Sequence, residues 1–183
     1  MTMREIALNI LDIAENSVKA RAKLVTVTIT AEKDTLCVEI ADDGCGMDKE
    51  FLARVTDPFT TTRTTRKVGM GIPLFKMAAE MAGGKFSIQS EKGKGTVVRA
   101  EFGRNHIDRA PLGDIADTVV TLLDEDKGTD FVFDVTVDGK RFLFDTRELR
   151  RELDGIPVNE PQVLVFVREM INENIINIGG EKL

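Results

Sequence analysis

Two runs of strict alternation, Leu24–Thr30 and Leu36–Ala41, set the strongest limit on what this chain can become. In the first, Val25, Val27 and Ile29 alternate with threonines; in the second, Leu36, Val38 and Ile40 alternate with smaller or polar residues. Alternation of period two makes half-buried strands, and the polar turn Glu32-Lys33-Asp34 joins them. Ahead of them the spacing predicts a helix from about Met3 to Ala20. Ile6, Ile10, Ile13, Ala14 and Ser17 form its apolar stripe, while Glu5, Asn9, Asp12 and Asn16 share one narrow polar face.

Turn residues divide the rest. The second strand runs into the loop Asp42-Asp43-Gly44-Cys45-Gly46-Met47, and Asp48 can cap a short helix reaching Val55. Thr56 to Val68 is a Thr/Arg-rich stretch read as a loop. Gly69-Met70-Gly71-Ile72-Pro73 opens a helix that stops at Gly83-Gly84. Strands follow at Lys85–Ser90 and Thr96–Phe102, linked by Gly93-Lys94-Gly95. After a break near Gly103–Leu112, a helix is expected over Asp114–Asp124. A hairpin follows, with Phe131, Phe133, Val135 and Val137 leading to Asp138-Gly139 and Phe142 and Phe144 on its return. A helix capped by Thr146 and a last helix capped by Asn159 complete the pattern.

Composition removes several classes. The 183 residues carry 25 Lys+Arg against 31 Asp+Glu, a net charge of −6, which argues against a general binder of nucleic-acid backbone. No apolar run approaches a membrane span. The N-terminus lacks a signal-peptide core, and Cys37 and Cys45 cannot build a disulfide framework. A cytoplasmic location is expected.

Four pieces therefore stand in fixed order: the Asp12/Asn16 helix face, the Asp43-Gly44-Cys45-Gly46 loop, Gly69-Met70-Gly71, and Gly93-Lys94-Gly95-Thr96. A Walker A loop is absent, and Gly69-Met70-Gly71 lacks the strand and third glycine of a dinucleotide fingerprint. This order resembles the GHKL superfamily of ATPases, which have the Bergerat fold. Its members include sensor histidine kinases, anti-sigma-factor serine kinases, DNA gyrase, MutL mismatch-repair proteins and the ninety-kilodalton heat-shock chaperone. Leu11-Asp12-Ile13-Ala14-Glu15-Asn16-Ser17 resembles the N box and Asp43-Gly44-Cys45-Gly46-Met47 the G1 box. Asp57-Pro58-Phe59-Thr60-Thr61-Thr62-Arg63 is similar to the F box of short-lid histidine kinases, the nearest group. Gly69-Met70-Gly71-Ile72 and Gly93-Lys94-Gly95-Thr96 match G2 and G3. The likeness covers roughly residues 5–102.

The resemblance implies a site for ATP and Mg²⁺. Asp43 would accept a hydrogen bond from the adenine amine, with Gly44, Gly46, Met47 and Thr96 around it. Asn16 would ligate Mg²⁺ through its carboxamide oxygen. Gly69, Met70, Gly71 and Ile72 would bring backbone N–H groups to the phosphates at a helix start. Lys19 is either a phosphate contact or a solvated lysine. Thr62 would join the binding residues, and Arg63, Arg66 and Lys67 either supply further charge to the site or only solubilise the loop. Asp12 stands where relatives carry a general base or an asparagine. It either orients a water or acceptor hydroxyl or merely orders the helix face.

Departures from the family are also expected: the strand and helix that commonly precede the N-box helix absent or replaced, and no histidine-bearing phosphoacceptor domain ahead of it. His106, the only histidine, is expected on the surface. The fold expected is α+β: a two-layer sandwich, with a mixed, largely antiparallel sheet and helices on one face over residues 1–105. A smaller α+β unit over 110–183, a site of partner docking, would follow. The function expected is an Mg-ATP-binding, kinase-like ATPase that hydrolyses ATP or passes its γ-phosphate to a protein partner. The alternative is a non-catalytic nucleotide-binding regulatory module signalling through lid order. Nucleic acid and membrane are not expected partners, and a homodimer is left open.

Overall fold

The computed structural model describes residues 5–56, 70–125 and 127–183. The elements run α1 (Ile6–Lys19), β1 (Leu24–Glu32), β2 (Thr35–Asp42), α2 (Lys49–Val55), α3 (Gly71–Met81), β3 (Lys85–Glu91), β4 (Gly95–Gly103), α4 (Ile115–Glu125), β5 (Asp130–Val137), β6 (Lys140–Asp145), α5 (Thr146–Glu152) and α6 (Pro161–Asn177), with a final 3₁₀ turn at Gly180–Lys182. All strands join one six-stranded sheet in the order β3-β4-β2-β1-β5-β6. Only β1 and β5 pair in parallel; the other neighbours are antiparallel.

The alternation explains the layering. Val25, Val27, Ile29, Leu36, Val38, Ile40, Val98, Ala100 and Phe102 are buried, and register places them on one face. Helices cover that face. Ile6, Ile10, Ile13 and Ala14 of α1 are buried in the same cluster, and Phe75 of α3 packs its ring 5.7 Å from Phe102 and 6.4 Å from Phe86. The opposite face carries Thr26, Thr28, Thr30, Glu39 and Arg99, all half-buried or exposed.

Both ends of α1 are tied by backbone. Its first donors, Ile6 N–H and Ala7 N–H, reach the carbonyls of Pro111 and Leu112 at 3.0 and 2.8 Å, satisfying two groups that a helix start leaves unpaired. At its end Ala22 N–H returns to Ser17 O and Arg21 N–H to Val18 O. Arg21 takes the left-handed conformation, φ 61°, that such a Schellman closure requires.

No separate C-terminal domain is shown. β5 pairs with β1 along Leu24–Ala31, so the 110–183 segment extends the same sheet. Phe131, Phe133, Val135 and Phe144 belong to the one hydrophobic cluster. Alternation at Phe131 and Phe133 reports a strand but not the sheet it joins. The Asp138-Gly139 turn is as expected, with φ positive at both residues, 48° and 83°. Two cap assignments change. Asp145, not Thr146, caps α5 through Arg147 N–H at 2.9 Å, while the Thr146 hydroxyl accepts from Phe131 N–H. Glu160, without a side-chain cap bond, precedes Pro161 at the start of α6. Along α6, Val163, Val167 and Ile171 are buried, while Phe166 is 61% exposed. None of the described helices is long and apolar enough to cross a membrane.

Because β5 lies inside the sheet, the chain is expected to unfold in one transition. Phe133→Ala, at a residue 1% exposed, should cost about 3–5 kcal/mol and lower the urea midpoint reported by every probe. Two transitions, only one of them shifted, would mean that residues 110–183 form a core of their own.

Candidate functional site

The last turns of α1 lie against the end of β2. Continuing the alternation of Leu36, Val38 and Ile40 turns Asp42 toward the helix layer, and the Ser17 hydroxyl donates to its Oδ2 at 2.6 Å. Asp42 Oδ1 accepts from Gly44 N–H at 2.9 Å. An ionised carboxylate has about four acceptor positions, so capacity remains for an incoming donor. Thr96 is the cross-strand partner of Asp42. Its hydroxyl shares a 2.9 Å hydrogen bond with Ser90 Oγ, which accepts from Met47 N–H at 2.8 Å. A carboxylate and a hydroxyl thus stand side by side on adjacent strands at the edge of the helix layer.

Two glycines allow this closeness. Gly46 has φ +62°, and a Cβ there would lie 2.0 Å from the Glu91 carbonyl oxygen. Gly95 has φ +109°, and its Cβ would lie 1.9 Å from the Asp42 carbonyl oxygen. The obstacles are backbone atoms, so any side chain must push the β2 loop and the β3–β4 hairpin apart. Gly44 is buried against Ala20, and Cys45 N–H donates to Ala20 O at 2.9 Å.

Across α1, the polar face meets the start of α3. Gly71 opens α3, and a Cβ on it would come within 2.9 Å of Asp12 Cβ. The Gly71 and Ile72 N–H groups of the first turn of α3 therefore begin beside Asp12, with Asn16 one turn further along α1. Asn16 is half-buried, and no described residue hydrogen-bonds its carboxamide. Asn9, on the same face, is 2% exposed, and its Oδ1 has no hydrogen-bond partner among the described residues. Ile72 is buried and Met70 exposed. Lys19 is exposed and pairs with Glu15 at 3.4 Å. Thr62, Arg63, Arg66, Lys67 and Gly69 lie outside the described residues.

Asp43, expected to meet the adenine amine, is engaged at the start of β1. Its Oδ1 accepts from Lys23 N–H at 2.7 Å and Leu24 N–H at 3.0 Å, closing the start of β1, and the residue is exposed. The Leu24 N–H bond, with the Lys23 bond adding to it, holds the Asp43 carboxyl below its ordinary value. Asp42 is the carboxylate aimed at α1. Period-two counting from Ile40 could have found it; Ser17 and Ser90 offered no such signal. His106 sits on an exposed turn beyond Gly103, the opposite end of β4 from Thr96, where its Nδ1 accepts from Asp108 N–H.

Residues 2–106 match the family described as histidine kinase-, DNA gyrase B-, and HSP90-like ATPase. An uncharacterised sensor-like histidine kinase of Rhizobium meliloti is 36% identical over 83 residues, covering 43% of this chain and 16% of that protein. Sporulation kinase E of Bacillus subtilis is 36% identical over 74 residues, covering 40% of this chain and 10% of that protein. The chain thus spans only a small part of the length of these relatives. Among solved structures, the N-terminal domain of a DNA repair protein superposes with TM-score 0.51 at 13% identity, over 76% of this chain and 51% of that one. This last likeness is one of fold.

Asp43→Asn is expected to weaken the closure of β1 by about 1 kcal/mol at pH 7, the usual scale of such a bond. A carboxyl held low in the folded state stabilises above its unfolded value and stops doing so as pH falls through the folded one. The gap between parent and variant should therefore be full at pH 7 and close below pH 3.8, read by urea melts across pH. A gap that persists or widens in acid would contradict the assigned bonds.

Proposed function

The chain belongs to the histidine kinase-, DNA gyrase B- and HSP90-like ATPase family, and on that premise we propose that it binds Mg-ATP and passes the γ-phosphate to water or to a protein partner. The observation that carries this reading is the Asp42–Ser17–Thr96 cluster, set between the last turn of α1 and the end of the sheet. Asp42, with Oδ1 and Oδ2 already oriented, accepts from the adenine amine, a donor that guanine lacks at that position; Thr96 and Met47 line the same pocket.

The residues present fit the remaining groups. Asn16 offers an uncommitted carboxamide oxygen, the hard donor that Mg²⁺ prefers. The start of α3 offers N–H groups and the positive end of a helix dipole to phosphate oxygens. Mg²⁺, when bound, neutralises charge on the transferred phosphoryl group. Asp12, one turn before Asn16 and packed on Gly71, orients the attacking water or hydroxyl and takes its proton. Relatives named as kinases support a protein acceptor, and no residue of this chain is assigned that role.

Titration calorimetry tests the pocket. Asp42→Asn presents an amide donor to the adenine amine and should weaken Mg-ATP binding about tenfold or more, whereas Asp43→Asn should leave it within about twofold. The reverse ranking would return the role to Asp43. Asp12→Asn should bind Mg-ATP as the parent does and release phosphate about 10²–10⁴-fold more slowly in a single turnover. An unchanged rate would leave Asp12 as an ordering residue, and no turnover in the parent would favour a nucleotide-switched regulatory module.

A further inference from the structure

The sheet has two edges, and they are protected differently. At one, β6 carries Lys140 and Arg141, and its Asp145 is engaged by Arg147 at 2.7 Å. At the other, β3 reads Lys85-Phe86-Ser87-Ile88-Gln89-Ser90-Glu91. Its five central residues hold no charge, proline or glycine, the devices that natural edges use to refuse a further strand. No described strand lies on its outer side. Its charges stand only at the ends and are of opposite sign.

Antiparallel pairing of this strand with a second copy, about a twofold axis through Ile88, is self-complementary. Lys85 falls opposite Glu91, Phe86 opposite Ser90, Ser87 opposite Gln89, and Ile88 opposite itself. Every opposed pair keeps the same face, as a twofold axis normal to the sheet requires. Phe86 and Ile88 pair in register with Ala100 and Val98 and so lie on the helix side, half-buried, where Ile88 meets its copy and Phe86 lies diagonal to the copy's Ile88. Lys85 and Glu91 lie on the open side. Lys85 has no ion pair with any described residue, and Glu91 holds only an exposed 2.8 Å pair with Lys94.

We infer that β3 is a homodimer edge: two copies of this chain join through Lys85–Glu91 into one continuous twelve-stranded sheet. The occupant is a second copy because the charge pattern complements itself. The edge starts from the sheet and not from the nucleotide site, so it stands or falls independently of the proposed function.

Sedimentation velocity of the full chain over a concentration series tests it. The parent should be dimeric at micromolar concentrations. Lys85→Glu replaces two attractive contacts across the axis with two repulsive ones and should weaken association roughly tenfold or more; Glu91→Lys should do the same. The double variant, Lys85→Glu with Glu91→Lys, restores complementarity and should regain the dimer, with unchanged circular dichroism throughout. A parent that is monomeric at every concentration overturns the inference. So does a dimer indifferent to both single reversals, or a double variant as weak as the singles.

Discussion

The 2.6 Å hydrogen bond from Ser17 to Asp42 joins the helix that carries Asp12 and Asn16 to the strand end whose carboxylate is aimed beneath it. Ser17 is buried on the apolar side of α1, so the bond also fixes the rotation of the helix about its own axis. With the stripe of Ile6, Ile10 and Ile13 held in the core, the polar face is turned toward α3. The far end of α1 is held by the carbonyls of Pro111 and Leu112. Residues beyond the family match thus help to position the helix on which the site is built.

A second constraint acts from below. The paired close approaches at Gly46 and Gly95 lock the loop after β2 onto the β3–β4 hairpin through backbone contact, reinforced by Gly93 N–H on Cys45 O at 2.8 Å. The glycines of these two boxes are needed for that contact before any ligand arrives. At Gly71 the obstacle is a side chain, Asp12, so the third box sets how near the start of α3 comes to α1. Shape, in this site, is built by what the glycines omit.

Much of this was legible in the residues. Periodicity located α1, the first four strands and their partners' faces, and the glycine boxes marked the segments that the fold brings beside α1. What escaped was of two kinds. The choice between Asp42 and Asp43 depends on side-chain direction, which adjacent identical residues do not reveal until alternation is counted through from Ile40. The placement of β5 beside β1 depends on a long-range parallel pairing, for which Phe131 and Phe133 carry no local signal. The Asp145 cap was missed for a smaller reason: Thr146 has the same capping chemistry one position later, and its hydroxyl is spent on Phe131 N–H.

In the function proposed, nucleotide binds between α1, the loop after β2 and the start of α3. Hydrogen–deuterium exchange of the full chain, with and without Mg-ADP, tests it most directly. Slower exchange is expected at Gly44–Met47, at Gly95 and Thr96, and in the first turn of α3, with little change in α6. Unchanged exchange at all three places under saturating nucleotide, or protection confined to residues 110–183, would contradict the account.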